Sequence, residues 1–225
     1  MFDLIDILLH IDVYLESLLS EIGNWIYVVL FFIVFSETGF VVTPFLPGDS
    51  LLFTVGALSS RQLLCLWSSF MVLSIAATLG NTVNYHIGKF VGPKIFSKEN
   101  SLLFNKKHLY TTAVFYEKHG AKTIIIARFL PILRTFAPFV AGIGRMNYAK
   151  FQIYNIFSSF LWSSSFIGAG YLFGNLPVVK ENFSMFILGI IIVSVIPSII
   201  KAISVHFTGD SATLSDSKFK NSKKE

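Results

Sequence analysis

The sequence predicts an all-α polytopic membrane protein, with about four transmembrane helices and two opposed re-entrant hairpins arranged as an inverted repeat. Three observations lead there. The 225 residues are 53% hydrophobic and only 14% charged, with a mean hydropathy of +0.66, whereas soluble domains carry roughly a quarter charged residues. Apolar runs recur near the ~20 residues a bilayer crossing needs. Two further apolar runs, at 36–49 and 124–142, are broken by prolines, glycines and paired charges. Lipid offers a broken backbone no hydrogen-bond partners, so such breaks must line an enclosed or wet cavity.

In chain order, residues 1–23 carry Asp3, Asp6, Asp12, Glu16 and Glu21 opposite an apolar stripe and contain no Lys or Arg. This pattern predicts an amphipathic interfacial helix, and the missing basic n-region argues against a secretory signal peptide. The membrane domain follows over 24–205. A first repeat at about 25–92 holds an apolar helix at 25–35, the break at 36–49, an apolar return at 51–58 and a span at 63–87 interrupted at Gly80-Asn81 and Asn84-Tyr85-His86. The basic stretch 89–122 leaves the membrane, with a second interfacial helix expected at 104–116. A second repeat at about 122–175 holds the break at 124–142 and a span at 148–174, and a last span covers 183–203. Residues 206–225 form a basic tail whose composition reads as disordered and cytoplasmic.

The repeat rests on two signals. Phe45-Leu46-Pro47 matches Phe129-Leu130-Pro131, and Gly56, Tyr85 and Gly88 correspond to Gly142, Tyr171 and Gly174 at a constant offset of 86. With both termini cytoplasmic, 14 of the 18 Lys and Arg residues fall on the cytoplasmic side, as the positive-inside rule requires. The acidic break then enters from outside and the basic break from inside, the arrangement of transporters built from inverted repeats.

Charges inside such breaks are the candidate functional groups. Glu37 and Asp49 flank the breaking residues Pro44, Pro47 and Gly48. Each acid has an ordinary explanation, as a helix end or an N-cap. Together they suggest a proton- or cation-handling site, since an apolar setting favours the protonated carboxylate that proton coupling needs. Arg128 and Arg134 sit in the second break with Pro131 and Pro138. Arg128 is placed where it can snorkel to the surface. Arg134, between the prolines, is better suited to gripping a phosphate headgroup or pairing with the acids. Asn81, Asn84 and Tyr85 are candidate polar lining. His86, beside Lys89, fits the headgroup zone.

Several chemistries are absent. There is no Walker A segment, no HExxH and no Gly-x-Ser-x-Gly elbow, and the five histidines have no metal spacing. No enzyme activity, metal or cofactor is expected. Cys65 is the single cysteine, so no intramolecular disulfide forms. The net charge of +5 lies mainly in lysines flanking spans, so nucleic acid is not an expected partner.

The residues 35–39 (Phe-Ser-Glu-Thr-Gly) followed by 44–52 (Pro-Phe-Leu-Pro-Gly-Asp-Ser-Leu-Leu) resemble the first signature of the DedA family, bacterial inner-membrane proteins also called the VTT or SNARE-associated family. So do Phe115 to Gly120, Ala127 to Pro131, Arg134 to Pro138, Ala141-Gly142, Asn84-Tyr85 with Gly88, Phe151 with Asn155, and Trp162. The resemblance covers about 25–205. It implies movement of a lipid phosphate (undecaprenyl phosphate or a phospholipid) across the inner membrane, coupled to protons, with effects on the cell envelope. It also implies essential roles for Glu37, Asp49, Arg128 and Arg134. The chain departs from the family at Asn81, where an Asp usually follows the glycine. The expected partners are therefore membrane lipids and protons, with room for a homo-oligomer. The alternatives are a proton- or cation-coupled carrier of small solutes and a non-transporting scaffold for envelope assembly.

Overall fold

The computed structural model describes residues 11–40, 48–96 and 119–174, together with Tyr116, Leu176, Pro177, Val179, Met185, Phe186, Leu188 and Gly189. The described residues are helical, with no strand among them. Three helices are long and apolar enough to cross a membrane, over Val13–Gly39, Leu66–Val91 and Tyr148–Phe173. The expected span at 183–203, the helix at 104–116, the tail at 206–225 and Pro44 and Pro47 lie outside the described residues.

Helix α1 (Ile11–Ile22) passes through a 3-10 turn at Gly23–Trp25 into α2 (Ile26–Gly39). Leu15, Leu18, Leu19 and Ile22 of α1 join the main core, while Glu16 pairs with Arg61 at the surface. In α2, Ile26, Leu30, Val34, Glu37 and Thr38 are buried, but Val28 and Phe32 are exposed. An apolar exposed face on an apolar helix is the face a lipid would cover. The helix ends at Phe40, whose backbone is extended.

Helix α3 (Gly48–Ser60) begins at the glycine expected to break the chain, so the break lies before Gly48. Eleven of its residues are buried, and Thr54 and Ser59 satisfy their hydroxyls on the carbonyls four residues back. Helix α4 (Leu66–Phe96) runs 31 residues without interruption. The polar interruptions of the apolar run at Gly80-Asn81 and Asn84-Tyr85-His86 leave the helix intact, with Asn81, Asn84 and Tyr85 spent on contacts to other segments. At 1.5 Å per residue α4 is about 46 Å long, longer than the ~30 Å hydrocarbon core.

A 3-10 turn at Gly120–Lys122 leads into α5 (Thr123–Ala127), a turn through Arg128–Leu130, and α6 (Pro131–Ile143). Pro131 opens α6, where its missing N–H costs nothing. Pro138, expected as a second break, lies inside α6. One proline removes a single hydrogen bond, which packed membrane helices tolerate. Helix α7 (Tyr148–Phe173) starts at Asn147, whose side chain accepts from the Lys150 amide at 3.1 Å.

The short helices pack on the long ones in an exchanged way: α3 on α7 and α6 on α4, with α2 against α4. Close approach needs glycine. A Cβ at Gly56 would strike the Ile167 carbonyl and the Tyr171 amide, and one at Gly142 would strike the Tyr85 carbonyl and the Lys89 amide. The 86-residue offset seen in sequence holds for the short helices, where Gly56 and Phe53 match Gly142 and Phe139, but the long helices correspond one turn away. Gly88 and Gly170, not Gly174, meet the Phe139 and Phe53 carbonyls, and Tyr85 stands where Ile167, not Tyr171, stands in the other repeat.

Candidate functional site

Five side chains from five separate segments, four of them buried and Asp49 half-buried, converge where the broken helices meet. Glu37 comes from the last turn of α2, Asp49 from the first turn of α3, Arg128 from the turn after α5, Arg134 from the first turn of α6 and Trp162 from α7. Glu37, Arg128 and Arg134 are 4%, 2% and 6% exposed, which excludes snorkelling for either arginine. Asp49 sits at a helix N-terminus, where its charge is favoured. Glu37 sits at a C-terminus, where it is disfavoured, so it needs a cation.

Arg134 supplies that cation. One arm donates to Glu37 Oε1 and the other donates to Asp49 Oδ1 at 2.7 Å. The guanidinium fork therefore bridges two acids that both belong to the other repeat. The Gly48 amide adds a donation to Glu37 Oε1 at 3.3 Å. A Cβ at Gly48 would collide with Glu37 Oε2 and Arg134 Nη2, so glycine is required beside the bridge.

Trp162 completes the cluster. Its indole N–H donates to Asp49 Oδ1 at 2.8 Å. The guanidinium carbons of Arg134 and Arg128 stand 4.5 Å and 5.0 Å from its ring centroid, within cation–π range. Trp162 belonged only to the family pattern at the level of sequence. Its signal was available: a tryptophan at the middle of a span, when tryptophans favour the two interfaces.

The cluster has two cations and two acids, so its formal charge is zero, but its hydrogen bonding is incomplete. Among the described residues, Arg128 Nε, Nη1 and Nη2 all lack an acceptor, and Glu37 Oε2 lacks a donor. A buried charged group without hydrogen bonds costs several kcal/mol by order of magnitude. What remains open is an anion-accepting guanidinium beside a carboxylate oxygen able to take a proton.

The expected polar lining divides. Asn84 donates to the Thr38 carbonyl at 3.2 Å and the Thr135 carbonyl at 2.8 Å. These are the neighbours of Glu37 and Arg134, so Asn84 ties the two halves of the cluster together. Asn81 instead donates to Asn155 Oδ1 at 2.8 Å, within a network of Thr78, Thr82 and Gln152. Tyr85 is remote from the cluster: it donates to the Met146 carbonyl at 2.5 Å and stacks on Phe151.

The chain matches the VTT domain over residues 46–172. It is 54% identical to Protein DedA of Escherichia coli K12 over 202 residues, 89% of this chain and 92% of that protein. It is 42% identical to an uncharacterized membrane protein of Mycobacterium leprae over 170 residues, 76% of each chain. It is 37% identical to the inner membrane protein YqjA of Escherichia coli K12 over 160 residues, 71% of this chain and 72% of that one. No solved structure matches.

Proposed function

The chain belongs to the DedA family of VTT-domain membrane proteins, and from that premise we propose that it moves a lipid phosphate, undecaprenyl phosphate or a phospholipid, across the bacterial inner membrane, coupled to protons bound at Glu37 and Asp49. The observation that carries this reading is Arg128, a buried guanidinium with three nitrogens that lack acceptors among the described residues. Two oxygens of a tetrahedral phosphate match the parallel donors of a planar guanidinium fork.

Charge balance then links the anion to protons. The resting cluster is neutral, so an anionic headgroup on Arg128 would leave a net negative charge in a low-dielectric site. A proton on Glu37, whose Oε2 has no donor among the described residues, restores neutrality. Neutralising Glu37 also loosens one arm of Arg134, which can swing to the same phosphate. Anion and proton therefore bind together, while the lipid tail stays in the bilayer. The protein acts here as a carrier and not as an enzyme, with four spans, two re-entrant segments and both termini cytoplasmic, as the cation distribution suggests.

A carrier of small cations would use the two acids as its substrate site. Arg134 already bridges both, so a cation would compete with a fixed guanidinium, and the anion reading is favoured. A scaffold has no use for a buried cation without an acceptor.

The test is transbilayer movement of labelled undecaprenyl phosphate and of labelled phosphatidylglycerol by purified protein in liposomes, with and without a pH gradient. Movement that depends on the gradient and disappears in Arg128→Gln supports the proposal. Equal movement by wild type and Arg128→Gln overturns it.

A further inference from the structure

Away from the central cluster, two adjoining cavities lie at the common end of the second and third candidate spans. One, of about 460 Å³, is lined by Lys89, Arg145, Asn147, Tyr148, Tyr85 and Phe90, among others. The other, of about 320 Å³, is lined by Val83, Ile87, Phe90 and Val91 with Thr82 and His86. Phe90 belongs to both, so a cationic cup adjoins a shallow, open apolar groove on the surface of α4, the one helix that supplies all of its described lining. We infer that this pair of cavities binds one anionic phospholipid of the surrounding leaflet, its phosphate between Lys89 and Arg145 and an acyl chain along Val83, Ile87 and Val91.

Depth comes first. Val91 ends one candidate span and Tyr148 begins another, so the cup sits where headgroups sit. Charge comes second. Lys89 and Arg145 are exposed, and among the described residues no acid lines either cavity. The only acids between residues 50 and 174 are Glu99 and Glu117, both outside the described residues. Basic pockets between membrane helices on one face are a recognised mode of anionic headgroup binding.

Shape comes third. From Val83 to Val91 the groove follows eight residues of helix, about 12 Å, enough for a substantial part of an acyl chain. Phe90 and Val91 remain exposed at its rim, as residues facing hydrocarbon would be. The cup wall is fixed: the Tyr85 hydroxyl donates to the Met146 carbonyl, and the Tyr85 and Tyr148 rings lie 5.7 Å apart. Arg145 is held in the left-handed region, at φ 48°, a conformation few non-glycine residues adopt. A soluble phosphate would use the cup but not the groove, and a neutral lipid would use the groove but not the cup.

The site does not require that the protein transport anything, and its test is independent of the central cluster. Full-length protein is released from detergent by native mass spectrometry with added phosphatidylglycerol or phosphatidylcholine. The variants are Lys89→Gln/Arg145→Gln, Phe90→Ser and, as a charge control on the same helix end, Lys150→Gln, each made in wild type and in an Arg128→Gln background so that lipid held at the central cluster is not counted. Each cation near a headgroup is worth roughly fivefold in binding, so the double variant should lose about 25-fold in phosphatidylglycerol affinity. In the Arg128→Gln background it should then bind both lipids alike, while Lys150→Gln retains the preference there. Phe90→Ser should weaken the lipid but leave competition by inorganic phosphate unchanged. Unaltered preference in the double variant in the Arg128→Gln background overturns the site, and inorganic phosphate binding as tightly as phosphatidylglycerol overturns the lipid as its occupant.

Discussion

Removing Arg134 should be far more damaging alone than together with one of the acids it bridges. Arg134→Met keeps an apolar stem of similar length but leaves the buried Glu37 and half-buried Asp49 with only Arg128 to balance them, a net charge of −1. Two charge-assisted hydrogen bonds disappear, each worth roughly 1.5–3 kcal/mol, and breaking a buried pair from one side typically costs about 3–5 kcal/mol. In a chain of this size 1 kcal/mol moves the melting midpoint by about 2–4 °C, so the single variant should melt about 6–20 °C lower. Glu37→Gln alone leaves +1 and should also be destabilised. The double variant Arg134→Met/Glu37→Gln returns the cluster to zero, with Arg128 facing Asp49, and Asp49 keeps its Trp162 donor. It should recover most of the lost midpoint, because replacing a buried pair as a unit is often close to neutral. Transport should not recover. The assay is thermal unfolding of detergent-purified protein followed by size-exclusion chromatography, beside flipping in liposomes. A double variant no more stable than Arg134→Met would refute the balanced cluster, and one that transports normally would refute the role of the bridge.

Three other outcomes are expected. Trp162→Phe keeps a ring face for the guanidinium groups but removes the N–H to Asp49; headgroup binding should weaken by about 10-fold or more, as a charge-assisted bond of roughly 1.5–3 kcal/mol implies, and wild-type affinity in that variant would confine Trp162 to packing. Gly56→Val should abolish accumulation of folded protein because its side chain would meet the Ile167 carbonyl, whereas Gly168→Ala, with open space around its Cβ, should be neutral or stabilising by up to about 1 kcal/mol; protein abundance in membranes reads both. Cysteines at Ser60 and Ser101, introduced after Cys65 is replaced, should be respectively labelled and protected from an impermeant thiol reagent in whole cells, and the reverse result would overturn the assigned orientation.

The four charged residues of the cluster were legible because each is anomalous on its own: an ionised group in an apolar run next to a proline or glycine. Their partnership was not, since Glu37 and Arg134 lie 97 positions apart and nothing local states that one fork spans both acids. Trp162 is likewise identified by where it sits, at mid-span, but its hydrogen bond depends on how α7 crosses α3. The polar interruptions in α4 leave the helix unbroken for a clear reason. Asn81, Asn84 and Tyr85 have low helix propensity and polar groups that invite a break, yet each donates to a different helix or turn, and these contacts outweigh propensity. Pro138, expected as a break, instead lies inside α6 as one missing hydrogen bond.

The departure at position 81 is explained by the same geometry. Asn81 is buried and donates its amide to Asn155 Oδ1, and Asn155 in turn spends its own amide on the Thr78 carbonyl, Thr82 and Gln152. An aspartate in place of Asn81 could make no such donation. Two acceptors would then face each other, a buried arrangement that costs free energy unless the carboxyl is protonated or Asn155 turns its amide over. In this chain a neutral amide removes that requirement, so the α4–α7 contact holds whatever the protonation state of the cluster. The balance between two arginines and two acids is closed without a third carboxylate. If proton coupling operates as proposed, it runs through Glu37 and Asp49 alone, and Asn81 contributes by keeping the helix that carries Asn84 in register with both halves of the site.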